Sequence, residues 1–198
     1  MYVRLATWAN ATNIEGGIDY LRGTLPLFRQ QSGYLGLLSS VDRTNGTLSA
    51  LSMWETESDC DASESSMKKA RDEVVEIIGG TMRLERFEQM VAEVVAAPVP
   101  GTALMVTPFS MDPAKIDENI VFFMSEIVPA IKAAPGFCTL RNMVNRQTGE
   151  GYTGTIWVDH DAMEAQVAGS ATRREMARRR GITFGEISFR EIVLIDRP

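Results

Sequence analysis

The sequence carries the same pattern of residues twice, and this repetition constrains the fold more than any other feature. A shift of 103 positions aligns identical residues in the two halves: Pro26 with Pro129, Gly33 with Gly136, Arg43 with Arg146, Gly46 with Gly149 and Trp54 with Trp157. No gap is needed between the first of these pairs and the last. A repeat at one fixed spacing indicates a supersecondary unit that is used twice. Two copies predict a fused dimer rather than a long repeat array.

Composition and charge limit the classes of partner. The chain has 198 residues, of which 44% are hydrophobic, and its net charge is −6 at pH 7. This negative balance argues against a nucleic-acid-binding surface. No apolar run approaches the roughly 18 residues that a membrane helix needs. Cys60 and Cys138 stand at unrelated positions of the two halves, with no Cys-x-x-Cys motif. We therefore expect a cytoplasmic protein with no nucleic-acid and no membrane partner.

Each half predicts the order strand, helix, strand, strand, helix, strand. Alternating apolar residues indicate the strands, and apolar residues three or four positions apart indicate the helices. In the first half we expect strands at 3–7, 34–41, 47–54 and 84–95, and helices at 18–28 and 58–78. In the second half we expect strands at 103–109, 137–144, 152–157 and 187–195, and helices at 116–131 and 161–179. The predicted domains are a first repeat at 1–95, a linker at 96–102 and a second repeat at 103–198.

This order of elements is that of a ferredoxin-like plait, in which the helices cover one face of the sheet. An apolar sheet face left bare is unfavourable in water. Two plaits that stack face to face would cover it, and a short linker supplies the second plait at a high effective concentration. The sequence therefore predicts an α+β fold, with tandem ferredoxin-like (βαββαβ) repeats that form an intramolecular dimeric α/β barrel.

Three short motifs occur in both halves: Ser32-Gly33-Tyr34 with Pro135-Gly136-Phe137, the Asp/Asn-Arg-x-x-Gly hairpins at 42–46 and 145–149, and the strands that end in Trp54 and Trp157. On these residues the chain resembles the antibiotic biosynthesis monooxygenase (ABM-like) family of the dimeric α/β-barrel superfamily. The resemblance implies a cofactor-independent monooxygenase, an oxidoreductase. Its ligand would be a small hydrophobic aromatic compound, polyketide- or quinone-like, in a cleft between sheet and helices.

Two alternatives stay open at this point. One is a protein that binds a small ligand or haem without turnover, and the other is a structural or interaction protein with closed pockets. Haem-degrading members of the superfamily use a histidine in the second helix, whereas His160, the chain's one histidine, stands just before that helix. We therefore expect no cofactor and no metal, with haem as the alternative. Whether the fused chain dimerises again is also left open.

The resemblance implies a candidate substrate-binding pocket formed by Asn10, Trp54, Asn142 and Trp157. Each residue also has a structural interpretation. Asn10 fits a turn, the tryptophans fit a packed core, and Asn142 fits a polar position in mid-strand. The catalytic residues cannot be named from the sequence. Because the surroundings of the two tryptophans differ, we expect one open cleft and one that is filled.

Five arginines crowd the C-terminal end of the last predicted helix: Arg173, Arg174, Arg178, Arg179 and Arg180. Cations at this end complement the helix dipole. The pattern favours a solvated helix face, with an anionic ligand as the alternative.

Overall fold

The strand-helix-strand-strand-helix-strand order occurs twice in a computed structural model of the chain, which describes residues 1–197 and, except at residue 168, their side chains. The first copy contains β1 (Tyr2–Ala9), α1 (Ile14–Arg29), β2 (Tyr34–Asp42), β3 (Thr47–Trp54), α2 (Glu57–Ala62), α3 (Glu64–Ile78) and β4 (Thr81–Val94). The second contains β5 (Ala103–Ser110), a 3-10 turn (Pro113–Lys115), α4 (Ile116–Phe122), a π-helical turn (Phe123–Ile127), α5 (Val128–Lys132), β6 (Phe137–Val144), β7 (Glu150–Trp157), α6 (His160–Arg178), β8 (Thr183–Phe184) and β9 (Ser188–Asp196). The predicted α+β, ferredoxin-like class is confirmed.

The repeated hairpins show how the same residue pattern gives the same local structure. In the hairpin between β2 and β3, the Asp42 carboxylate accepts hydrogen bonds from the backbone N–H groups of residues 44 and 45, both at 3.0 Å. Asn145 does the same for residues 147 and 148 in the hairpin between β6 and β7. Each turn then ends in a glycine with positive φ, 59° at Gly46 and 73° at Gly149. A side chain at Gly149 would lie 1.9 Å from the carbonyl oxygen of Met111, so only glycine fits.

The chain divides into two compact units, Met1–Arg86 with the residues from Arg190 onward, and Phe87–Phe189. In the first unit the antiparallel strand order is β1-β3-β2-β9. In the second it is β4-β6-β7-β5-β8. The units divide within β4 and β9, since residues 88–94 of β4 pair with β6. The repeats at 1–95 and 103–198, with a linker at 96–102, stay a prediction about the duplicated sequence.

Each unit has its own hydrophobic core between sheet and helices. In the first, Trp8, Leu48 and Trp54 are buried completely. In the second, Leu140, Trp157 and Met163 are likewise buried in one hydrophobic cluster. No helix within residues 1–197 combines the length and apolar character that crossing a bilayer requires.

Candidate functional site

A cavity of about 100 Å³ lies in the second unit, between β5, β6 and β7 on one side and α4, α5 and α6 on the other. Most of its wall is apolar, and includes Met105, Phe109, Phe123, Ile131, Trp157 and Phe184. A concave apolar space with a few polar groups is the usual form of a small-molecule site. The cavity is therefore the candidate functional site of the chain.

Trp157 ends β7 and forms part of the cavity wall. Its indole Nε1 donates a hydrogen bond to Thr155 Oγ1 at 3.0 Å, and its ring packs edge-on against Phe137 at 5.6 Å between centroids. The polar atom of the ring is thus satisfied within its own strand. Trp157 consequently offers the cavity an apolar aromatic surface in a fixed orientation.

Asn142, in the middle of β6, lines the same cavity and is 3% exposed. Its Nδ2 donates to Thr153 Oγ1 at 2.9 Å, whereas its Oδ1 is buried with no hydrogen-bond partner among the residues described. A buried acceptor left without a donor costs roughly 1–3 kcal/mol. An unpaired group at this cost often marks a functional site, because a ligand donor can pair with it.

Two of the crowded arginines belong to the cavity rather than to a solvated helix face. Arg173 and Arg174 both line it, which corrects the favoured interpretation of the sequence. Burial lowers the pKa of both guanidinium groups, and for Arg174 the nearby Arg178 adds to the effect. Arg173 donates to Gln166 Oε1 at 3.3 Å, and Arg174 lies over the Phe184 ring at 5.1 Å. These two cations bring positive charge to a wall whose other described residues are uncharged.

The helix over the cavity contains the π-helical turn at Phe123–Ile127, and both end residues of this turn line the cavity. Such turns are frequent at functional sites because they widen a helix locally. The corresponding helix of the first unit, α1, runs without interruption. This turn could not be predicted from the sequence, since Ile116, Ile120 and Ile131 also fit a continuous helix.

The corresponding space in the first unit measures only about 20 Å³. At three aligned positions the first unit has a larger side chain than the second: Arg4 where the second has Thr107, Trp8 where it has Met111, and Met67 where it has Ser170. The prediction of one open and one filled cleft is therefore confirmed by the two volumes. The first-unit space differs from the cavity in charge as well as in volume, because Arg4 brings a buried guanidinium that must be paired.

Arg4 is held by an ion cluster in the first unit. Its guanidinium lies 3.2 Å from the Glu64 carboxylate and donates to Ser63 Oγ at 2.9 Å. Arg71 pairs with the same Glu64. Trp54 lies beneath, 5.7 Å from the Arg4 guanidinium, with its Nε1 bonded to Ser52 Oγ at 3.0 Å. Trp54 is completely buried and lines neither described cavity, so the structure places it in the core.

Asn10 lies apart from the other candidate residues, in the connection between β1 and α1. It is exposed, has φ of 59° and lines neither described cavity. Asparagine tolerates this left-handed conformation better than most residues. The structure thus brings Asn142 and Trp157 together and leaves Asn10 and Trp54 elsewhere.

The residues present do not fit a histidine-ligated haem. His160 is the first residue of α6, its side chain is 62% exposed, and its Nδ1 lies 3.7 Å from Glu164. Among the described residues that line the cavity, none is a histidine, tyrosine or cysteine. Within residues 1–197, no three histidine, cysteine or acidic side chains are grouped as a metal site would require.

No family model matches the chain. The protein MT2634 of Mycobacterium tuberculosis (strain CDC 1551 / Oshkosh), named as uncharacterized, is 28% identical over 166 residues, or 83% of this chain and 74% of the relative. A second protein of that strain, MT2635, also named as uncharacterized, is 24% identical over 147 residues, or 73% of this chain and 62% of the relative.

Solved structures share the fold along nearly the whole chain. A provisionally named monooxygenase from Fusobacterium nucleatum superposes with a TM-score of 0.73 at 11% identity, over 99% of this chain and 94% of its own. An anthrone oxidase-like protein gives 0.69 at 13% identity, over 98% and 92%. The heme-degrading enzyme LmHde from Listeria monocytogenes gives 0.57 at 8% identity, over 96% and 99%. At these identities the likeness shows the fold.

Proposed function

We propose that the chain is a cofactor-independent monooxygenase that acts on a small aromatic, polyketide- or quinone-like compound in the cavity of the second unit. The observation that carries this proposal is the combination of the Trp157 wall with the unpaired acceptor of Asn142 in one apolar cavity. The names of two proteins that share the fold, a provisionally named monooxygenase and an anthrone oxidase-like protein, support the reaction class.

The chemistry needs little from the protein. Molecular oxygen reacts slowly with a neutral phenol or anthrone and faster with its anion, because the anion gives up an electron more readily. The ring of Trp157 orients a flat substrate, and a fixed orientation is worth several kcal/mol of a reaction barrier (on the order of 7–11 in favourable cases). Asn142 Oδ1 accepts a hydrogen bond from a substrate hydroxyl, and the guanidinium groups of Arg173 and Arg174 stabilise negative charge that develops on the substrate.

The atoms balance without a bound cofactor. A ring CH₂ loses one proton to solvent, and the resulting carbanion combines with O₂ to give a peroxide anion. This anion takes up a proton, and loss of water then leaves a carbonyl group. One oxygen atom stays in the product and the other leaves as water, while the carbon loses four electrons and O₂ gains them.

The test is oxygen uptake with anthrone in the presence of a chelator and without added flavin, haem or nicotinamide. We expect uptake above the uncatalysed rate and one ¹⁸O atom from ¹⁸O₂ in the product. Asn142→Leu should lose most of this activity, and Ser39→Ala, at the aligned position of the first unit, should retain it. Uptake equal to background over a panel of anthrones and hydroquinones would exclude the enzyme.

A second candidate is a protein that binds the same compounds without turnover. It is favoured by the lining of the cavity, in which none of the described residues is a carboxylate or an imidazole that could take the proton. The two candidates differ in one measurement: saturable binding of an anthrone, by calorimetry under nitrogen, with no oxygen uptake in air supports the binding protein.

A further inference from the structure

We infer that the natural ligand of the second-unit cavity is an aromatic acid, whose carboxylate pairs with Arg174 while its rings occupy the apolar space. This inference deepens the proposed function, because it concerns the substrate class of the same cavity. It arises from a comparison of the two units, in which one arginine position has two different environments.

In the first unit this position is Arg71, on α3, and its side chain is 7% exposed. Its Nη2 pairs with the Glu64 carboxylate, seven residues earlier on the same helix. Arg4 contributes a second guanidinium to that carboxylate, at 3.2 Å. The first unit therefore neutralises its buried arginines with a carboxylate of the chain itself.

In the second unit the aligned arginine is Arg174, and the residue seven positions earlier is Val167. The internal carboxylate is thus replaced by an apolar side chain that packs against the core. The Nη2 atom of Arg174 is buried and has no hydrogen-bond partner among the described residues. A buried guanidinium donor that has lost its carboxylate partner is unfavourable, because the charge is left without a counter-ion. A ligand carboxylate would occupy the role that Glu64 has in the first unit.

The surroundings of Arg174 indicate the rest of the ligand. The guanidinium groups of Arg174 and Arg178 lie 5.1 and 5.9 Å from the ring of Phe184, which lines the cavity. The positive charges of these two arginines therefore lie directly beside the aromatic part of the cavity wall. A molecule that is aromatic at one end and anionic at the other satisfies both surfaces, whereas a neutral aromatic leaves the guanidinium without a counter-charge.

A ligand with a single carboxylate matches the free donors of the cavity better than a ligand with two negative charges. Arg173 already donates to Gln166, and Arg180 is engaged by Glu118 and Asn119. Arg174 is thus the lining cation with an unused buried donor. A carboxylate, which arginine binds through its planar pair of N–H donors, can accept a hydrogen bond from this unused donor of Arg174.

The test is isothermal titration calorimetry of the full chain with 2-naphthoate and with 2-naphthamide, its neutral counterpart, under nitrogen. We expect 2-naphthoate to bind more tightly than 2-naphthamide. Arg174→Gln should weaken 2-naphthoate about tenfold to a hundredfold, the range for a hydrogen bond to a charged group, and should leave 2-naphthamide unchanged. Retained amide binding also shows that the variant is folded.

Arg179→Gln is the matched control, since Arg179 has the same charge five residues later, is 77% exposed and pairs with Glu175. It should leave both affinities unchanged. Arg174→Lys keeps the charge and should retain part of the 2-naphthoate preference. Equal binding of acid and amide, equal losses in the Arg174 and Arg179 variants, or no binding of either probe would overturn the inference. Oxygen plays no part in these titrations, so absent turnover in air would reject the oxygenase proposal alone.

Discussion

The indole Nε1 of Trp157 donates to the hydroxyl of Thr155, two residues earlier on the same strand, at 3.0 Å. The first unit repeats this contact between Trp54 and Ser52 at the same distance. The tryptophan anchor is therefore common to both halves, although the cavity measures about 100 Å³ in the second unit and the corresponding space about 20 Å³ in the first. The shared contact stabilises the end of each strand, and the difference in cavity volume arises from the residues around it.

Trp157→Phe and Trp54→Phe separate these two roles. Both variants lose the indole hydrogen bond and some core packing, so we expect each to lower the free energy of unfolding by about 1–3 kcal/mol. Only Trp157→Phe should also lower the oxygenation rate, on the order of tenfold to a hundredfold, because a misplaced substrate reacts slowly. Urea unfolding and oxygen-electrode traces measure the two effects. An equal loss of activity in both variants would contradict this assignment.

Asn142→Leu should reduce function with little change in stability. The substitution keeps the size of the side chain and removes the unpaired buried Oδ1, but it also removes the hydrogen bond from Nδ2 to Thr153 Oγ1. These two effects oppose one another, so we expect a free energy of unfolding within about 1 kcal/mol of the wild-type value.

The control for this variant is Ser39→Ala in the first unit. Ser39 is buried and donates to the Ser49 carbonyl at 2.8 Å, so its removal should lower stability and leave ligand binding unchanged. If Asn142→Leu is the less stable of the two, then Oδ1 is paired in solution and the argument for a ligand contact weakens.

The order of elements could be predicted from the sequence because it depends on local patterns. Alternation predicted the strands, apolar spacing predicted the helices, and the Asp42 and Asn145 turns predicted both hairpins. The asymmetry of the two clefts was also predictable, since Met53 and Ile156, or Ser39 and Asn142, differ at aligned positions beside the tryptophans.

The details of the cavity could not be predicted, because they depend on contacts between distant residues. A run of arginines at a helix end looks the same whether it faces water or a cavity. Only the packing of α6 against the sheet shows that Arg174 lines the cavity. The alignment of the two tryptophans likewise could not predict that Trp54 lies under Arg4. This contact depends on the pairing of β1 with β3, which brings together residues that are 50 positions apart.

Acid should weaken the first unit through Asp196, which is buried at the end of β9. Arg29 donates to its carboxylate at 3.1 Å and Tyr34 at 3.0 Å, and the hydrogen bond from Arg29 lowers the pKa of Asp196. A lowered pKa in the folded state gives stability that is present above the unfolded value, about 3.9. This stability is lost as the pH falls through the folded value.

Thermal unfolding from pH 7 down to pH 3 checks this for the wild type and Asp196→Asn. We expect the wild type to be the more stable at pH 7 and the difference in Tm to shrink towards pH 3. A difference that stays constant over the whole range would mean that the charge of Asp196 does not stabilise the fold.

Val167→Glu should convert the second unit to the self-neutralised arrangement of the first. Glu64 and Arg71 stand seven residues apart on α3, and residues 167 and 174 have the same separation on α6. A glutamate at 167 can therefore pair with Arg174 and compete with a ligand carboxylate. We expect 2-naphthoate affinity to fall about tenfold to a hundredfold, the range for a hydrogen bond to a charged group.

The control for this change is Val167→Gln, which has the size and polarity of the glutamate variant without its charge. It should bind 2-naphthoate nearly as well as the wild type, and both variants should keep their affinity for 2-naphthamide. Calorimetry on the three proteins at matched salt gives the comparison, since surface charge effects weaken with ionic strength. If the glutamate and glutamine variants lose 2-naphthoate affinity equally, the loss comes from altered packing at position 167. The pairing of Arg174 with a ligand carboxylate would then lack support from this substitution, because a competing charge had no effect of its own.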